Sequence, residues 1–347
     1  MKKVIIGISG GVDSSVAALL LKKQGYKVIG LTFIFTDDFD STDAVKVCEK
    51  LNIEHHIIDY RNEFKKNIID NFINDYNRGI TPNPCVLCNK EVKFNFLYQK
   101  MMEYNCDYIA TGHYAKIMNG KLYKSKDLNK DQTYFLAQLS PEQLSRLLLP
   151  LEGITKDNVR KIAHENGLIN ANKKDSTDVC FITSSFKDYM SNKLTNEEGN
   201  IVNIATNKVI GKHNGLTKYT IGQRKGLNIG GSVDKLFVVG KNLDKNILYV
   251  ALGEDNEYLY SDSCIIETIN FNSEVKPTKC TAKFRYRATD YPVELEYINA
   301  NEILVKYDKI KSVTPGQACV FYLDDQCLGG GIIKEVRKNN DKIWYLL

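Results

Sequence analysis

Apolar residues in the first 110 positions fall into short continuous runs that alternate with longer amphipathic stretches. Short apolar runs are typical of buried strands, whereas apolar residues recurring every three or four positions indicate helices. We therefore predict strands at residues 4–8, 28–35, 55–58 and 108–111, and helices at 13–24, 41–51, 64–77 and 90–105. This alternation favours an α/β fold with a doubly wound parallel sheet, whose ligand binds at the carboxyl ends of the strands.

The pattern changes along the second half of the chain. Further helices are predicted at residues 141–149 and 156–166, and after about residue 190 polar turns separate short β-rich runs. From about residue 261 the pattern predicts strands at 280–287, 293–297, 303–306, 318–323, 331–336 and 343–346. Short strands at this spacing are typical of a small barrel. We expect a catalytic α/β domain over residues 1–195, a small β-rich linking domain over 196–260, and a C-terminal β-barrel over 261–347.

The composition adds limits to this architecture. The chain has 347 residues, of which 43% are hydrophobic and 26% charged, as in ordinary globular proteins. No apolar run reaches the length of a membrane span, and the N-terminus lacks the pattern of a signal peptide. We therefore expect a cytoplasmic protein without a membrane partner. The net charge of +5 is too small to identify a nucleic-acid partner by itself.

A glycine-rich turn follows the first predicted strand, with the sequence SGGVDSS at residues 9–15. Backbone N–H groups at such a turn and at the start of the next helix can bind phosphate. The turn is neither a Walker A loop nor the Gly-x-Gly-x-x-Gly dinucleotide motif. It resembles the pyrophosphate (PP) loop of the ATP pyrophosphatases, which cleave ATP between the α and β phosphates.

The nine cysteines form two groups. Six of them have mostly apolar neighbours and are expected to be small buried side chains, namely Cys48, Cys106, Cys264, Cys280, Cys319 and Cys327. Cys85 and Cys88 form a C-x-x-C motif after two prolines, where a helix is expected to begin, and Cys180 follows a polar turn. Because amides at a helix start stabilise a thiolate, we expect a lowered thiol pKa in this motif.

Three kinds of site compete for these thiols. A structural zinc site needs further ligands, and the sequence has neither a second C-x-x-C nor a paired histidine motif. A thioredoxin-like redox motif fits poorly beside a phosphate loop. In the third interpretation the site transfers sulfur, so that one cysteine carries a persulfide and another attacks it by thiolate exchange.

Seven sequence blocks occur in one order that resembles a known family. They are SGGVDSS, TPNPCVLCNKEVKF (residues 81–94), ATGHY (110–114), KDQTYFL (130–136), DSTDVCFI (175–182), YTIGQRKGL (219–227) and VTPGQ (313–317). Together they resemble the tRNA-specific 2-thiouridylase family (MnmA type) of the PP-loop superfamily, over essentially the whole chain.

The resemblance implies a reaction. ATP would adenylate the C2 oxygen of the wobble uridine in certain tRNAs, and a persulfide on Cys180 would supply the sulfur. Cys88 would form a transient disulfide with Cys180 or handle the sulfur as a nucleophile. Asp13 would bind Mg²⁺ at the pyrophosphate. The sulfur donor would be a cysteine desulfurase or a sulfur-relay protein.

The resemblance also implies three sets of contacts. ATP would be bound by Gly7, Ile8, Ser9, Gly10, Gly11, Val12, Asp13, Ser14, Phe33 and Gly112. The target base would face Asn83, Pro84 and Cys85. The tRNA would contact His113, Lys130, Asp131, Gln132, Arg285, Tyr286 and Gln317. His113 could also be a hydrogen-bonding histidine at a strand end. Taken without the resemblance, residues 285–287 are equally typical of the solvent face of a strand.

One position departs from the family. Many members have Asp where this chain has Cys85, which leaves a carboxylate role there in doubt. Cys85, Cys88 and Cys180 could instead hold three irons of a [4Fe–4S] cluster. Two other functions compete with thiolation: an adenylating PP-loop ligase of another type, which needs no thiol pair, and a non-catalytic RNA-binding module, which needs no intact phosphate loop.

Overall fold

The computed structural model describes residues 1–175, 179–182, 189–190, 193–194, 197–227, 229, 235–273 and 276–346. The first part of the chain contains seven strands: β1 (Lys3–Gly7), β2 (Lys27–Ile34), β3 (Glu54–Asp59), β4 (Tyr108–Ala110), β5 (Lys116–Met118), β6 (Lys121–Tyr123) and β7 (Leu147–Leu148). Five of them form a parallel sheet in the order β3-β2-β1-β4-β7. The apolar runs of β1 and β2 are buried because helices cover both faces of this sheet.

The helices of this part are α1 (Val12–Lys23), α2 (Thr42–Leu51), α3 (Arg61–Phe64), α4 (Asp70–Asn77), α5 (Pro84–Leu87), α6 (Phe94–Glu103), α7 (Thr133–Leu136), α8 (Pro141–Ser145) and α9 (Lys156–Glu165). Helices α1, α2 and α9 share one apolar cluster with β1 on one face of the sheet. Helix α6 packs with β1, β2 and β4 in the cluster on the other face. The doubly wound sheet is thereby confirmed.

Two predicted helices differ from the structure in an informative way. The helix predicted at 90–105 begins earlier, at Pro84, and contains a π-helical segment, Cys88–Lys93, between α5 and α6. The helix predicted at 141–149 was wrong beyond Ser145, since a capping box at Ser140 starts α8 but the chain then adds β7 to the sheet edge. Pairing with β4 outweighs the helical pattern there.

The central part is a four-stranded sheet in the order β10-β11-β8-β9. Its strands are β8 (Glu198–Asn203), β9 (Lys208–Asn214), β10 (Leu236–Asn242) and β11 (Ile247–Leu252). β8 and β11 pair in parallel, and the two outer pairings are antiparallel. The expected division between residues 195 and 196 lies outside the described residues.

The C-terminal part closes into a barrel. Its strands are β12 (Tyr260–Phe271), β13 (Lys279–Lys283), β14 (Tyr291–Tyr297), β15 (Ile303–Lys311), β16 (Ala318–Leu323) and β17 (Gln326–Lys338), followed by the short β18 (Asp341–Lys342). All pairings are antiparallel, and β12 pairs with β17 to complete the circle β12-β15-β14-β13-β16-β17. The barrel is confirmed, although the sequence did not predict β12.

Two strand predictions in the C-terminal part differ from the structure. β13 ends at Lys283 rather than at residue 287, because the chain turns there and Arg287 adopts a φ of 63°. Residues 343–346 form no strand beyond an isolated bridge at Leu346. Arg285 and Tyr286 therefore lie in a turn and not on a strand face.

The barrel contacts the first part of the chain at several places, of which two involve the backbone closely. The β5–β6 hairpin extends the barrel sheet, since β6 pairs with β17. The turn at residues 313–317 packs against residues 80–81, where a Cβ on Gly316 would lie 2.2 Å from Ile80 Cγ2 and where φ is +89°. Only glycine fits this approach. Within the described residues, no helix is long and apolar enough to cross a membrane.

Candidate active site

The SGGVDSS turn connects β1 to α1 at the carboxyl edge of the parallel sheet. Gly11 is the N-cap of α1 and offers no side-chain acceptor to the first turn of the helix, whose N–H groups are available to an anion. Ser9 and Ser14 hold the turn together: Ser9 N–H donates to Ser14 Oγ (3.2 Å), and Ser14 Oγ–H donates to Gly11 O (3.0 Å). Thr32 on β2 donates to Ile8 O at 2.8 Å. The turn is preformed for a phosphate group.

At two positions of this site a side chain would be too close to the neighbouring backbone, which explains the glycines there. Gly10 has a φ of +73°, and a Cβ there would lie 3.1 Å from Ala44 N. Gly112 follows β4, and a Cβ on it would lie 2.7 Å from both Asp13 C and Ser14 N. Gly112 therefore lies directly against the backbone of the phosphate loop, where the sequence predicted it to meet the nucleotide.

Asp13 takes part in a network that the sequence analysis missed. Lys156, the first residue of α9, is only 7% exposed, and its Nζ donates to Asp13 Oδ1 (2.7 Å) and Oδ2 (2.8 Å). The Tyr114 hydroxyl donates to Asp13 Oδ1 at 2.7 Å. In addition, Asn170 donates through Nδ2 to Gly10 O (3.0 Å). The one sign of this role in the sequence is the position of Lys156 at the start of the helix predicted at residues 156–166.

The network continues to Asp175, five positions before Cys180. Its carboxylate accepts from Lys156 (2.8 Å), Arg160 (2.8 Å) and Lys130 (2.9 Å). Desolvation alone would raise the pKa of Asp175, but the hydrogen bonds from Lys156 and Lys130 outweigh it and bring the pKa to about 2. Residues 176–178 of the DSTDVCFI block lie outside the described residues.

The C-x-x-C motif spans the junction between α5 and the π-helical segment. Asn83 caps α5 by accepting from Val86 N–H at 3.3 Å, with Pro84 as the first helical residue. Cys85 is half-buried and Cys88 is buried. Cys88 packs in one apolar cluster with Phe181 and Val179, the two residues that flank Cys180. The structure thus brings the sulfur-carrying segments together across more than ninety positions of the chain.

The expected lowering of the thiol pKa in this motif was wrong. Desolvation raises the pKa of Cys88 to about 12, and it also raises the pKa of Cys85 and of the more exposed Cys180. Cys88 lies past the first turn of the helix that begins at Pro84, and the effect of a helix N-terminus falls off within that turn. Lys93 is the cation that lowers the pKa of all three thiols. The sequence analysis assigned Lys93 no role.

Gly112 and His113 connect the phosphate loop to the start of α6, next to Lys93. Gly112 touches the backbone of the loop, and the His113 ring lies 5.7 Å from that of Phe94, the residue after Lys93. Thr111 Oγ1 lies 2.8 Å from His113 Nδ1. Burial, with a smaller contribution from Lys93, holds the pKa of His113 well below its usual value. His113 is therefore neutral at physiological pH and can donate one hydrogen bond without adding charge.

The predicted tRNA contacts of the KDQ block are mostly engaged inside the protein. Lys130 pairs with Asp175. Asp131 is buried and accepts from Ser125 N–H (3.0 Å) and Thr133 Oγ1 (2.6 Å). Gln132 Oε1 accepts from a backbone N–H at 2.9 Å. Asp131 and Gln132 hold this loop in shape.

The predicted contacts from the barrel have different surroundings. Arg285 Nη2 donates to Ile221 O (3.2 Å), Ser312 O (2.7 Å) and Thr314 Oγ1 (2.7 Å). Gln317 Nε2 donates to Thr81 O at 2.7 Å, which ties the barrel to the C-x-x-C segment. Both side chains thus hold domains together.

Beside them, Tyr286 packs against Phe135 with ring centroids 4.3 Å apart and the ring planes tilted by 46°. The exposed Arg287 lies 5.2 Å above the Tyr286 ring. Phe33, predicted near adenine, is 8% exposed and packs edge-on against Phe96 at 5.2 Å. Its ring is engaged inside the protein, and the predicted contact with adenine stays a prediction.

A metal centre is the other arrangement that the sequence allows at the thiols and at Asp13. Among the described residues, no group of three His, Cys, Asp or Glu side chains is close enough to hold a metal ion. Cys85, Cys88 and Cys180 are all described and do not form such a group, so the arrangement does not support the [4Fe–4S] alternative. Mg²⁺ commonly binds through one or two carboxylates together with substrate phosphates, and Asp13 fits that requirement.

Comparison with known proteins agrees with this site. Family models match residues 2–184 (tRNA methyl transferase HUP domain), 187–252 (tRNA methyl transferase PRC-barrel domain) and 261–333 (aminomethyltransferase β-barrel domain). The fold and the phosphate loop define a PP-loop nucleotide-binding protein with two appended β units.

Similar curated proteins identify the family of this chain within that class. The chain is 45% identical to the tRNA-specific 2-thiouridylase MnmA of Mycoplasmopsis synoviae (strain 53), over 99% of each chain. It is 46% identical to that of Bacillus cytotoxicus, over 99% of this chain and 98% of the other, and 47% identical to that of Mesoplasma florum, over 96% and 98%. The chain belongs to the MnmA family of tRNA-specific 2-thiouridylases.

Proposed function

We propose that this protein is an ATP-dependent tRNA sulfurtransferase that converts the wobble uridine of certain tRNAs to 2-thiouridine. The observation that carries the proposal is the junction at residues 112–113. Gly112 lies against the phosphate loop while His113 lies against the helix that begins after Lys93. Gly112 thus touches the expected adenylation site, and His113 lies near Lys93, the cation that acts on all three thiols. A ligase without sulfur chemistry needs no such thiols.

In the first step the C2 oxygen of uridine attacks the α phosphate of ATP, and pyrophosphate leaves. The N–H groups at the start of α1 bind the phosphates, and Asp13 would hold the Mg²⁺ that neutralises the departing pyrophosphate. The activated C2–O bond can then break with AMP as the leaving group. Without adenylation, a uracil carbonyl oxygen is a very poor leaving group.

In the second step a persulfide on Cys180 attacks C2 through its terminal sulfur. The C2–S bond forms, the C2–O bond breaks, and AMP leaves with the oxygen. The Cys88 thiolate then attacks Cys180 Sγ, so that the persulfide S–S bond breaks and its electron pair stays with the sulfur on C2. The products are 2-thiouridine and a Cys88–Cys180 disulfide, which an external thiol reduces.

Lys93 supports this chemistry electrostatically. The reacting sulfurs must be anionic, yet burial disfavours their charged forms. Lys93 is the cation that acts on all three thiols. Cys85 lies where the target base is expected, beside Asn83 and Pro84. We assign it to base contact, because neither sulfur step requires a third thiol.

The remaining parts of the proposal concern partners and organisation. The persulfide would come from a cysteine desulfurase or sulfur-relay protein, and the reaction would take place in the cytoplasm. The tRNA would lie along His113 and the turn at 285–287, where Arg287 is exposed, whereas Asp131 and Gln132 would act by shaping their own loop. We retain the domain division at 1–195, 196–260 and 261–347 as part of this proposal.

Radiolabelled ATP tests the function directly. Purified protein is incubated with [α-³²P]ATP, a persulfide donor and a tRNA transcript, and AMP and 2-thiouridine are quantified. We expect both products in equal amounts from the transcript with a wobble uridine. We expect neither from a matched transcript in which that uridine is replaced by cytidine. AMP formation independent of tRNA, or stable RNA binding without AMP, would contradict the proposal.

A further inference from the structure

Lys241, on β10 of the central sheet, is a buried lysine that the reaction steps above do not use. It is 2% exposed, and its Nζ donates to the backbone carbonyl of Gly79 at 2.9 Å. Among the described residues no carboxylate pairs with it, and burial lowers its pKa to about 7. Because a buried amine with one neutral acceptor costs stability, stability does not explain a lysine at this position.

The acceptor of this contact lies where α4 ends. Gly79 has a φ of +73°, and its N–H donates to Tyr76 O at 2.8 Å. The next N–H, that of Ile80, donates to Asp75 O at 3.0 Å. These two bonds close the helix on a left-handed glycine and leave the Gly79 carbonyl to another donor. Lys241 supplies that donor from the central sheet.

The barrel holds the same segment from its own side. Thr81 N–H donates to Pro315 O at 3.3 Å, and Thr81 O accepts from Gln317 Nε2 at 2.7 Å. Residues 79–81 are therefore bound by the central sheet at one end and by the barrel at the other.

These three residues lead without a break into the segment that is expected to face the target base. Pro82 follows them, and Asn83 then caps α5 with Pro84 as the first helical residue. Each proline fixes its own φ and keeps the residue before it extended. Few free backbone torsions therefore remain between residues 79–81 and Cys85, so the placement of the former determines where α5 begins.

We propose that Lys241 is a positioning residue for thiolation, which acts through Gly79 O to hold the segment that presents residues 83–85 to the target uridine. This inference rests on the proposed function and deepens it, because it gives the central sheet a part in the reaction. Adenylation requires the C2 oxygen to lie in line with the α phosphate. A misplacement of about 1 Å can lower the rate of such a step about a hundredfold.

The variant Lys241→Met tests this role, since it removes the donor and keeps an apolar chain of similar length. The loss of a buried amine offsets the loss of the hydrogen bond, so we expect a melting temperature close to or above the parent's. We expect kcat for tRNA-dependent pyrophosphate release to fall about 10–100-fold, with KM for ATP unchanged. A lysine with a merely structural role would instead lower the melting temperature, and ATP binding would fall together with the rate.

Labelling of Cys85 measures the position of the segment directly. Full-length protein is treated with iodoacetamide, and the labelled peptides are quantified by mass spectrometry. In Lys241→Met we expect Cys85 to react faster than in the parent, whereas Cys106, a buried thiol outside the thiol cluster, should react at the parent's rate. The control is Lys245→Met, at an exposed lysine between β10 and β11, which should keep the parent's kcat and labelling rates.

Lys241→Gln decides the question if Lys241→Met does not fold, because its amide is one bond too short to reach Gly79 O. It should show the same two changes. Two results would overturn the role of Lys241: a folded variant with the parent's kcat and Cys85 labelling rate, or a loss of rate matched by an equal loss of ATP binding.

In either case tRNA-dependent AMP formation by the parent would leave the proposed function standing. A parent that forms no AMP with tRNA would instead contradict that function. The labelling of Cys85 would then still show whether Lys241 holds the segment, since it needs neither ATP nor tRNA.

Discussion

The phosphate loop and the thiol site differ in how the chain builds them. The loop is local: seven consecutive residues form the turn after β1 and the first turn of α1, and hydrogen bonds among them hold it. The thiol site is assembled from the C-x-x-C helix and the Cys180 segment through an apolar cluster. A local motif fixes its own geometry, whereas the charge state of an assembled site depends on everything packed around it.

Removing either thiol should have the largest effect and separate the two regions completely. Cys88→Ser and Cys180→Ser should each abolish 2-thiouridine, because a hydroxyl can neither carry nor exchange sulfane sulfur. tRNA-dependent pyrophosphate release should continue, because the adenylation step uses no thiol. Mass spectrometry of digested tRNA gives the first readout and a pyrophosphate-release assay the second. Cys106→Ser, at a buried thiol outside the cluster, is the control. Thiolation by either active-site variant would show that the cysteines are not required.

Asp13→Asn should damage the other region. We expect AMP formation to fall by about 10²–10³, as when one preorganised electrostatic contact to a transition state is lost. Persulfide loading of Cys180 should continue, since it needs no nucleotide. Asp43→Asn is the matched control, because Asp43 lies beside Gly10 but pairs with Lys173 at the surface. Near-normal AMP formation by a folded Asp13→Asn protein would remove Asp13 from the site.

The substitution Lys93→Met tests the thiol site separately from the phosphate loop, because it removes the positive charge that acts on the thiols. Lys93 lowers the pKa of Cys85, Cys88 and Cys180, so its loss should raise those values and leave less thiolate at neutral pH. The pH profile of Cys180 alkylation should move to higher pH, and thiolation should be partly recovered by alkaline assay. Lys90→Met, on the same π-helical segment but paired with Glu91, is the control. An unchanged profile would place Lys93 outside the sulfur chemistry.

The smallest effect is expected at the barrel, where two neighbouring arginines differ. Arg287→Ala should reduce the slope of log affinity for tRNA against log salt by about 0.7–0.9, the value for one phosphate contact. Arg285→Ala should instead lower thermal stability, since its guanidinium has three acceptors inside the protein. Fluorescence anisotropy at several salt concentrations and thermal melts distinguish the two. Equal salt slopes in Arg287→Ala and the parent would contradict this assignment.

The sequence predicted the sheet, the barrel and the phosphate loop because each depends on short-range patterns. It missed Lys156 and Lys93, since their significance depends on neighbours distant in sequence or on burial. The lowered thiol pKa was wrong for the same reason: the helix start is local, but burial by Phe181 and its neighbours is not. Likewise, Arg285 lies in a stretch where basic and aromatic residues alternate, as on an exposed strand. Its hydrogen-bond acceptors belong to residues distant in sequence, so only the tertiary structure reveals them.

The docking of the barrel has a consequence for how the protein is made. Leu136 and Ala137 share an apolar cluster with Val320 and Cys327 of the barrel, which leave the ribosome nearly two hundred residues later. At common translation rates this delay is roughly 10–40 s. During that time one face of the nucleotide-binding sheet lacks part of its covering. We therefore expect chaperones to bind the nascent chain at this uncovered face. A chain terminated before β16 should be an insoluble fragment rather than an ATP-binding domain.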